Sequence, residues 1–460
     1  MSKEKKEISQ EASPSIGISR RDLFKGTAVV GAGTALTMAT AKTVEASSNA
    51  KPVEARKNWY VKTVSQITTP YDLSKTKRFD ERNGSVRGPG YRNYVGDAKE
   101  NERAEAAKEL RDRGIREEIP GWTLLDQALA SASGMSSFAN STFLQWTPVQ
   151  ATTPQERGYD PYNVAPEIAA KHLKHAARAL GAAKVGITAL RKEWTYSVGG
   201  DGRRIEFENV NEPYETEEKR VIPEKVKNMI VLLIPQPVDA IYLHQTAIGG
   251  SYTGNIAYRL GAWTIGALAE FIRWLGYTAI PCQNNTFITV PHAIEAGMGE
   301  LGRHNRMVCP DYSLNNRLFP IATDMPLAHD KPIDFGLIDF CKTCMKCAEH
   351  CPAKAISFER EPTWETKGPW NNPGHKAWFD DAVKCRWNMT IESCANCQAS
   401  CTYTKKNDTV IHAAIKGTIA NTRALNGMFV RFDDMFGYGF AKDPKKWWDI
   451  DLPRFGHYEL

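Results

Sequence analysis

The sequence predicts a mixed core of the α/β (α+β) class followed by a smaller metal-bearing module, on three observations. Two helical apolar patterns interleave with two continuous apolar runs between residues 165 and 275, glycines close both helical patterns, and eight of the ten cysteines crowd into residues 341–401. At 460 residues with 42% hydrophobic content, the chain carries enough apolar material for two or three packed parts. Its formal charge of +6 is spread along the chain with no concentrated basic stripe, which argues against a nucleic-acid partner.

Residues 1–46 read as an export signal. Ser19-Arg20-Arg21-Asp22-Leu23-Phe24-Lys25 precedes a small, weakly apolar run at 26–41, and Val44-Glu45-Ala46 offers a small-residue cleavage pattern. A run so short and so rich in Gly, Ala and Thr falls below the ~20 residues a membrane helix needs, and no later stretch reaches that length. Leu23-Phe24 reverses the more usual order while filling both apolar positions. Twin-arginine export carries folded proteins, so the signal predicts a cofactor inserted before export.

Residues 47–164 are polar, Pro-punctuated and poorly periodic, with charged helix-like material at 97–117 and an aromatic stretch at 122–146; they predict an N-terminal covering domain. At 165–180, Ile168, Leu173, Ala176, Ala177 and Leu180 have helical spacing, and Gly181 stops the pattern. Residues 184–190 and 228–234 read as buried strands, and 256–275 as a second long helix ending at Gly276. Gly199-Gly200-Asp201-Gly202 reads as a hairpin turn. Helices alternating with apolar strands make 165–330 an α/β core.

Cys341, Cys344, Cys347 and Cys351, followed by Pro352, form the C-x2-C-x2-C-x3-C-P run of bacterial ferredoxins. Three closely spaced thiolates hold one cubane, while the fourth reaches the other cluster. Cys385, Cys394, Cys397 and Cys401 repeat the tail of that pattern, with a longer first gap and Thr402 where Pro is usual. The crossing rule assigns Cys341, Cys344, Cys347 and Cys401 to one 4Fe–4S cluster, and Cys351, Cys385, Cys394 and Cys397 to the other. Zinc sites and disulfides are the competing readings of such spacings. The interlocked order of all eight favours clusters. Residues 331–410 thus read as a ferredoxin-like module for two 4Fe–4S clusters, with 411–460 packing on the core. Cys282 and Cys309 read as buried structural thiols. Two clusters make a path for electrons, and the core ahead of them is where an acceptor belongs.

Several segments together carry a family resemblance: Arg20-Arg21, residues 181–187 leading to Trp194-Thr195-Tyr196, residues 271–281 and 295–300, Asn316-Arg317-Leu318, and residues 330–336 entering the cysteine run. On their order and spacing the chain resembles the respiratory reductive dehalogenases over nearly its whole length. The resemblance implies a nitroreductase-like core at 165–330 that encloses a base-off corrinoid. The chain lacks a D-x-H-x-x-G element of the kind that gives a histidine to cobalt in other corrinoid proteins, which agrees with base-off binding. No residue is assigned to contact the corrinoid.

The family's catalytic tyrosine falls on Tyr258, its arginine on Arg317 and its asparagine on Asn284, with Asn285 one step away. Their bland readings are a core tyrosine, a surface ion-pair arginine and a turn. In the implied chemistry Tyr258 gives a proton to carbon, Arg317 stabilises the phenolate, and Asn284 offers an amide N–H to the phenol or the halogen. An apolar pocket suits a halocarbon, and Trp387, Trp146, Phe143 and Phe138 are its candidate walls.

The implied activity is loss of halide from a small halogenated (chlorinated) hydrocarbon as the terminal step of anaerobic organohalide respiration, with electrons passing through both clusters to Co(I). The implied partners are a small integral-membrane anchor subunit and a quinone-linked electron donor chain, with the enzyme peripheral on the outer face of the cytoplasmic membrane. The alternatives are an epoxyqueuosine reductase-like corrinoid and iron–sulfur enzyme, opposed by the export signal, and an exported ferredoxin-type carrier, separable by cobalt content.

Overall fold

A four-stranded antiparallel sheet with both faces covered forms the centre of the fold. The computed structural model describes residues 58–84, 88–133, 144–283, 285–405 and 410–453, all within one contact unit, Lys57–Leu460. Strands β1 (Lys184–Ala189), β2 (Asn228–Pro235), β3 (Ala279–Pro281) and β4 (Asn316–Thr323) lie in the order β1-β2-β4-β3. Every neighbouring pair is antiparallel, which makes the core α+β. Along β2, Ile230, Leu232 and Ile234 enter one apolar cluster, and Met229, Val231 and Leu233 enter the other. A strand buried on both faces has no polar positions to alternate with, so it reads as one apolar run.

The helices used below are α1 (Gly88–Arg116), α2 (Leu124–Ser133), α3 (Pro166–Ala179), α4 (Thr253–Trp274), α5 (Thr289–Glu295), α6 (Leu337–Thr343), α7 (Lys346–Glu349), α8 (Ala382–Ile391), α9 (Asn396–Ser400), α10 (Val410–Asn421) and α11 (Asn426–Met435). Residues of α3 and α4 bury Leu173, Ala177, Ile265 and Leu268 against the Ile230 face; α5 buries Ala293 and Ile294 against the Met229 face. Both long helices end before a glycine of positive φ, Gly181 at +116° and Gly276 at +93°. The turn at 199–202 closes with Gly199 N–H donating to Arg203 O at 2.8 Å.

The open edge of β1 is covered. Ile187 N–H donates to Asp330 Oδ2 at 2.8 Å, and Asp330 N–H donates to Ile187 O at 2.8 Å. The C-terminal stretch divides its packing instead of lying on the core alone. Ile419 of α10 and Phe429 of α11 cover Phe335, Phe340 and Tyr403 beside the cysteines, while Trp447 joins Trp122, Ile248, Tyr252 and Ile256 on the core side. Among the described residues no helix is long and apolar enough to cross a membrane.

His292 on α5 is fully buried and held neutral. Its Nδ1 lies 3.0 Å from Ile288 O, and its Nε2 faces the Arg191 N–H at 3.3 Å, so a second proton would set two donors against each other. Burial, chiefly, brings its pKa down to about 4. The unfolded chain therefore binds the extra proton first, from about pH 6.5 downward. The stability contributed by neutral His292 is complete above that pH and is lost progressively as pH falls towards 4. Buried Glu300, pushed up to about 7 by burial, acts with the opposite sign. His292→Gln, which keeps a donor and an acceptor, should flatten the fall in denaturation midpoint between pH 7 and pH 5; an unchanged slope would remove His292 as its source.

Candidate active site and cysteine module

The first cysteine run is short helix, turn and short helix. Cys341 lies in α6, Cys344 caps it, Cys347 lies in α7, and Cys351 follows in the next turn. A cavity here is lined by Cys341, Cys344, Cys347 and Cys401, with Arg303 and Thr402 beside them. Thr402, where a proline was the usual residue, puts its Oγ1 3.6 Å from Cys344 Sγ. Cys351 shares an apolar cluster with Cys347, Cys385 and Cys397, and it lies within electrostatic reach of Cys385 and Cys397. Cys394 is within electrostatic reach of Cys397, Cys385 and Cys351.

Burial, with neighbouring sulfurs adding to it, pushes Cys385 up to about 11 and Cys394 and Cys401 up to about 12. Such crowded thiols ionise when a metal takes up the charge, so the donor set fits thiolate-bound iron. The module is tied to the C-terminal helices through charge: Lys346 of α7, fully buried, pairs with Asp433 and, at 2.8 Å, with Asp434 of α11, and Lys405 pairs with Asp433 at 2.7 Å. Cys282 and Cys309 are both buried, and burial holds the Cys282 thiol up at about 12.

Tyr258 and Arg317 are brought together by the sheet's alternation. Arg317, Phe319 and Ile321 project to the same face of β4, the face α4 covers, and Tyr258 sits in the second turn of α4. The Arg317 guanidinium lies 5.6 Å from the centroid of the Tyr258 ring, and that ring meets Phe319 edge-on at 5.8 Å. Arg317 Nη1 donates to Gln236 Oε1 at 2.8 Å. The same oxygen accepts from Gln398 Nε2 at 2.8 Å, and Gln236 Nε2 donates to Thr253 O at the start of α4 at 3.1 Å. One buried amide thus joins the arginine, the tyrosine-bearing helix and the residue that follows Cys397.

The approach of the cysteine module is close. A π-helical turn at Ala247–Tyr252 leads into α4, and a Cβ on Gly250 would lie 1.8 Å from Ser393 O, so only glycine fits beneath the segment that carries Cys394. Nearby, buried Asn315 has neither side-chain polar atom hydrogen-bonded among the described residues. Both of its orphaned atoms are available to a polar-rimmed ligand.

Asn284, Phe138 and Phe143 lie outside the described residues. Trp146 is buried in the cluster on the opposite face of the sheet from Tyr258, 5.9 Å from Arg220, where it fills core. Trp387 is half-buried on α8 with Lys99 Nζ 4.2 Å from its ring centroid. Gln236 and Gln398 escaped the sequence reading. The adjacency of Gln398 to Cys397 was a signal; an amide one residue past an apolar strand carries none.

The cysteine region matches the model of a 4Fe–4S double cluster binding domain over residues 340–404, and residues 17–37 match a twin-arginine translocation pathway signal. The chain is 32% identical over 362 residues to a tetrachloroethene reductive dehalogenase of Sulfurospirillum multivorans, covering 74% of this chain and 70% of that one. It is 30% identical over 332 residues to a tetrachloroethene reductive dehalogenase of Desulfitobacterium hafniense, covering 65% of this chain and 59% of the relative. In fold it is similar to a catabolic reductive dehalogenase solved in complex with 3-bromo-4-hydroxybenzoic acid, at TM-score 0.62 and 23% identity, over 87% of this chain and 53% of that chain. A second solved reductive dehalogenase, described in terms of B12-dependent dehalogenation, matches at the same TM-score of 0.62. At 32% identity over 74% of this chain and 70% of the relative, the likeness in sequence places this chain in the reductive dehalogenase family.

Proposed function

We propose that the chain is the catalytic subunit of an exported reductive dehalogenase acting on a small chlorinated hydrocarbon. Cys341, Cys344, Cys347 and Cys401 hold one 4Fe–4S cluster, and Cys351, Cys385, Cys394 and Cys397 hold the other. The observation that carries the reading is the Gln236 amide, which links Arg317, beside Tyr258, to the segment of Cys397. It sets a proton donor and a cation against the end of an electron path.

Replacing halogen by hydrogen takes two electrons and one proton and releases a halide ion. When bound, the clusters supply single electrons, and a base-off corrinoid supplies the low-valent cobalt that breaks the carbon–halogen bond. The residues present fit a corrinoid, whose rim carries amides: Asn315 offers two unsatisfied polar atoms, and a Cβ on Gly254 would meet nothing nearer than Arg317 Nη2 at 3.8 Å. The protein's own part is the proton. The Tyr258 hydroxyl delivers it to carbon, the Arg317 guanidinium offsets the charge left behind, and Asn284 adds an amide N–H. Trp387 is the candidate wall of the substrate pocket.

The twin-arginine signal supports work outside the cytoplasm. The family reading adds a place at the outer face of the cytoplasmic membrane, a small membrane subunit as anchor and a quinone-linked donor. Relatives named for tetrachloroethene make a chlorinated alkene the first substrate to try. The test is anaerobic purification with metal analysis, then halide release over chlorinated alkanes, alkenes and aromatics. About eight irons and about one cobalt per chain are expected. Iron without cobalt would reassign the chain as an exported electron carrier.

A further inference from the structure

Arg303 and Arg306 take no part in the chemistry above. They lie in the turn between two short antiparallel strands, Glu300–Leu301 and Met307–Val308, ahead of the cysteine run. The turn is tight: Gly302 N–H donates to Arg306 O at 2.9 Å, and Asn305 N–H donates to Gly302 O at 2.9 Å. Its two arginines point to different cysteine sets.

Arg303 is completely buried and borders the cavity of Cys341, Cys344, Cys347 and Cys401. Its Nη2 donates to Cys341 O at 2.6 Å, and its Nε donates to Cys341 O and Cys344 O, both at 3.1 Å. Nη1 donates to Ser357 O at 2.9 Å and to Glu359 O at 2.6 Å, and the Trp378 ring lies 4.7 Å from the guanidinium. Each of these acceptors is a neutral carbonyl, so the bonds satisfy the donors without cancelling the charge. Arg306 lies within electrostatic reach of Cys351, Cys385 and Cys397. Its Nη1 donates to His304 O at 2.9 Å, and the Asp380 carboxylate lies 3.8 Å from its Nη2.

Reducing a cluster adds one electron, and so one negative charge, to the iron–sulfur core. A nearby cation favours the reduced form and raises the potential. The effect is strongest where the cation is buried and its charge uncancelled, and weaker where a carboxylate offsets it. We propose that the turn at 302–306 sets the two cluster potentials separately. Arg303 raises that of the cluster on Cys341, Cys344, Cys347 and Cys401, and Arg306 raises, by less, that of the cluster on Cys351, Cys385, Cys394 and Cys397. The proposal rests on the two-cluster reading and not on the reaction with halocarbon, so iron content, measured first, separates failure of that reading from failure of the tuning.

The experiment is a mediated redox titration of the purified holoprotein, followed by low-temperature EPR, on wild type, Arg303→Gln, Arg303→Lys and Arg306→Gln. Arg303→Gln should lower one midpoint and leave the other; Arg306→Gln should lower the other, by a smaller amount. Arg303→Lys should stay near wild type, because it keeps the charge while losing most of the hydrogen bonds. The proposal is overturned if both glutamine variants move the same midpoint, if Arg306→Gln moves none, or if Arg303→Lys shifts as far as Arg303→Gln. Should Arg303→Gln fail to assemble, the lysine variant and Arg306→Gln still decide between charge and scaffold.

Discussion

Replacing Tyr258 by Phe is expected to lower halide release by about two to four orders of magnitude, the range a positioned acid supplies, while iron and cobalt contents stay at wild-type values. The separation follows from how the ring is held. Phe keeps the edge-on contact with Phe319 and still lies beneath the Arg317 guanidinium, so the variant removes one hydroxyl and little packing. The loss should fall on kcat, because an apolar substrate gains nothing in binding from the hydroxyl. Full activity in this variant would remove Tyr258 as the proton donor and leave the family assignment standing.

The second large effect concerns Cys351. By position it belongs to the first cysteine run, yet it lies within electrostatic reach of Cys385 and Cys397. Cys351→Ala should therefore abolish the same cluster as Cys385→Ala, with iron falling from about eight to about four per chain and one EPR signal surviving. Cys401→Ala should abolish the other cluster and leave the complementary signal. If Cys351→Ala and Cys347→Ala lose the same signal, the two sets do not cross. Halide release should be lost in all of these variants, since a break anywhere in the electron path stops turnover.

Much of this architecture was legible because a few segments have only one low-energy reading. The run 228–234 is apolar at every position after Asn228, and a strand buried on both faces follows from that. The cysteine spacings encode which thiol turns towards which partner, since helix geometry sets the reach from Cys347 to Cys351. Strand β4 was less readable: Arg317 and Pro320 interrupt its apolar character, and β3 is three residues long. Tyr258 was identifiable through family likeness alone, because a tyrosine on an amphipathic helix carries no mark of its own. Trp146 illustrates the converse. Its aromatic character suited a pocket wall, but aromatic bulk serves a core equally well, and here it packs with Ile205 and Met229. Gln236 depends on three partners far apart in sequence, and no local pattern announces such a meeting.

An unpaired β-strand edge is where two copies of a chain join and begin to aggregate. A chain that folds and takes up its cofactors before crossing a membrane spends that interval at risk in the cytoplasm. Asp330 closes the exposed edge of β1 by taking the Ile187 N–H on its carboxylate and returning its own N–H to the Ile187 carbonyl. Its carboxylate is held in turn by Lys174. A single aspartate, on the segment that leads from the core into the cysteine run, thereby takes up the N–H and C=O that Ile187 would otherwise offer to a neighbouring strand.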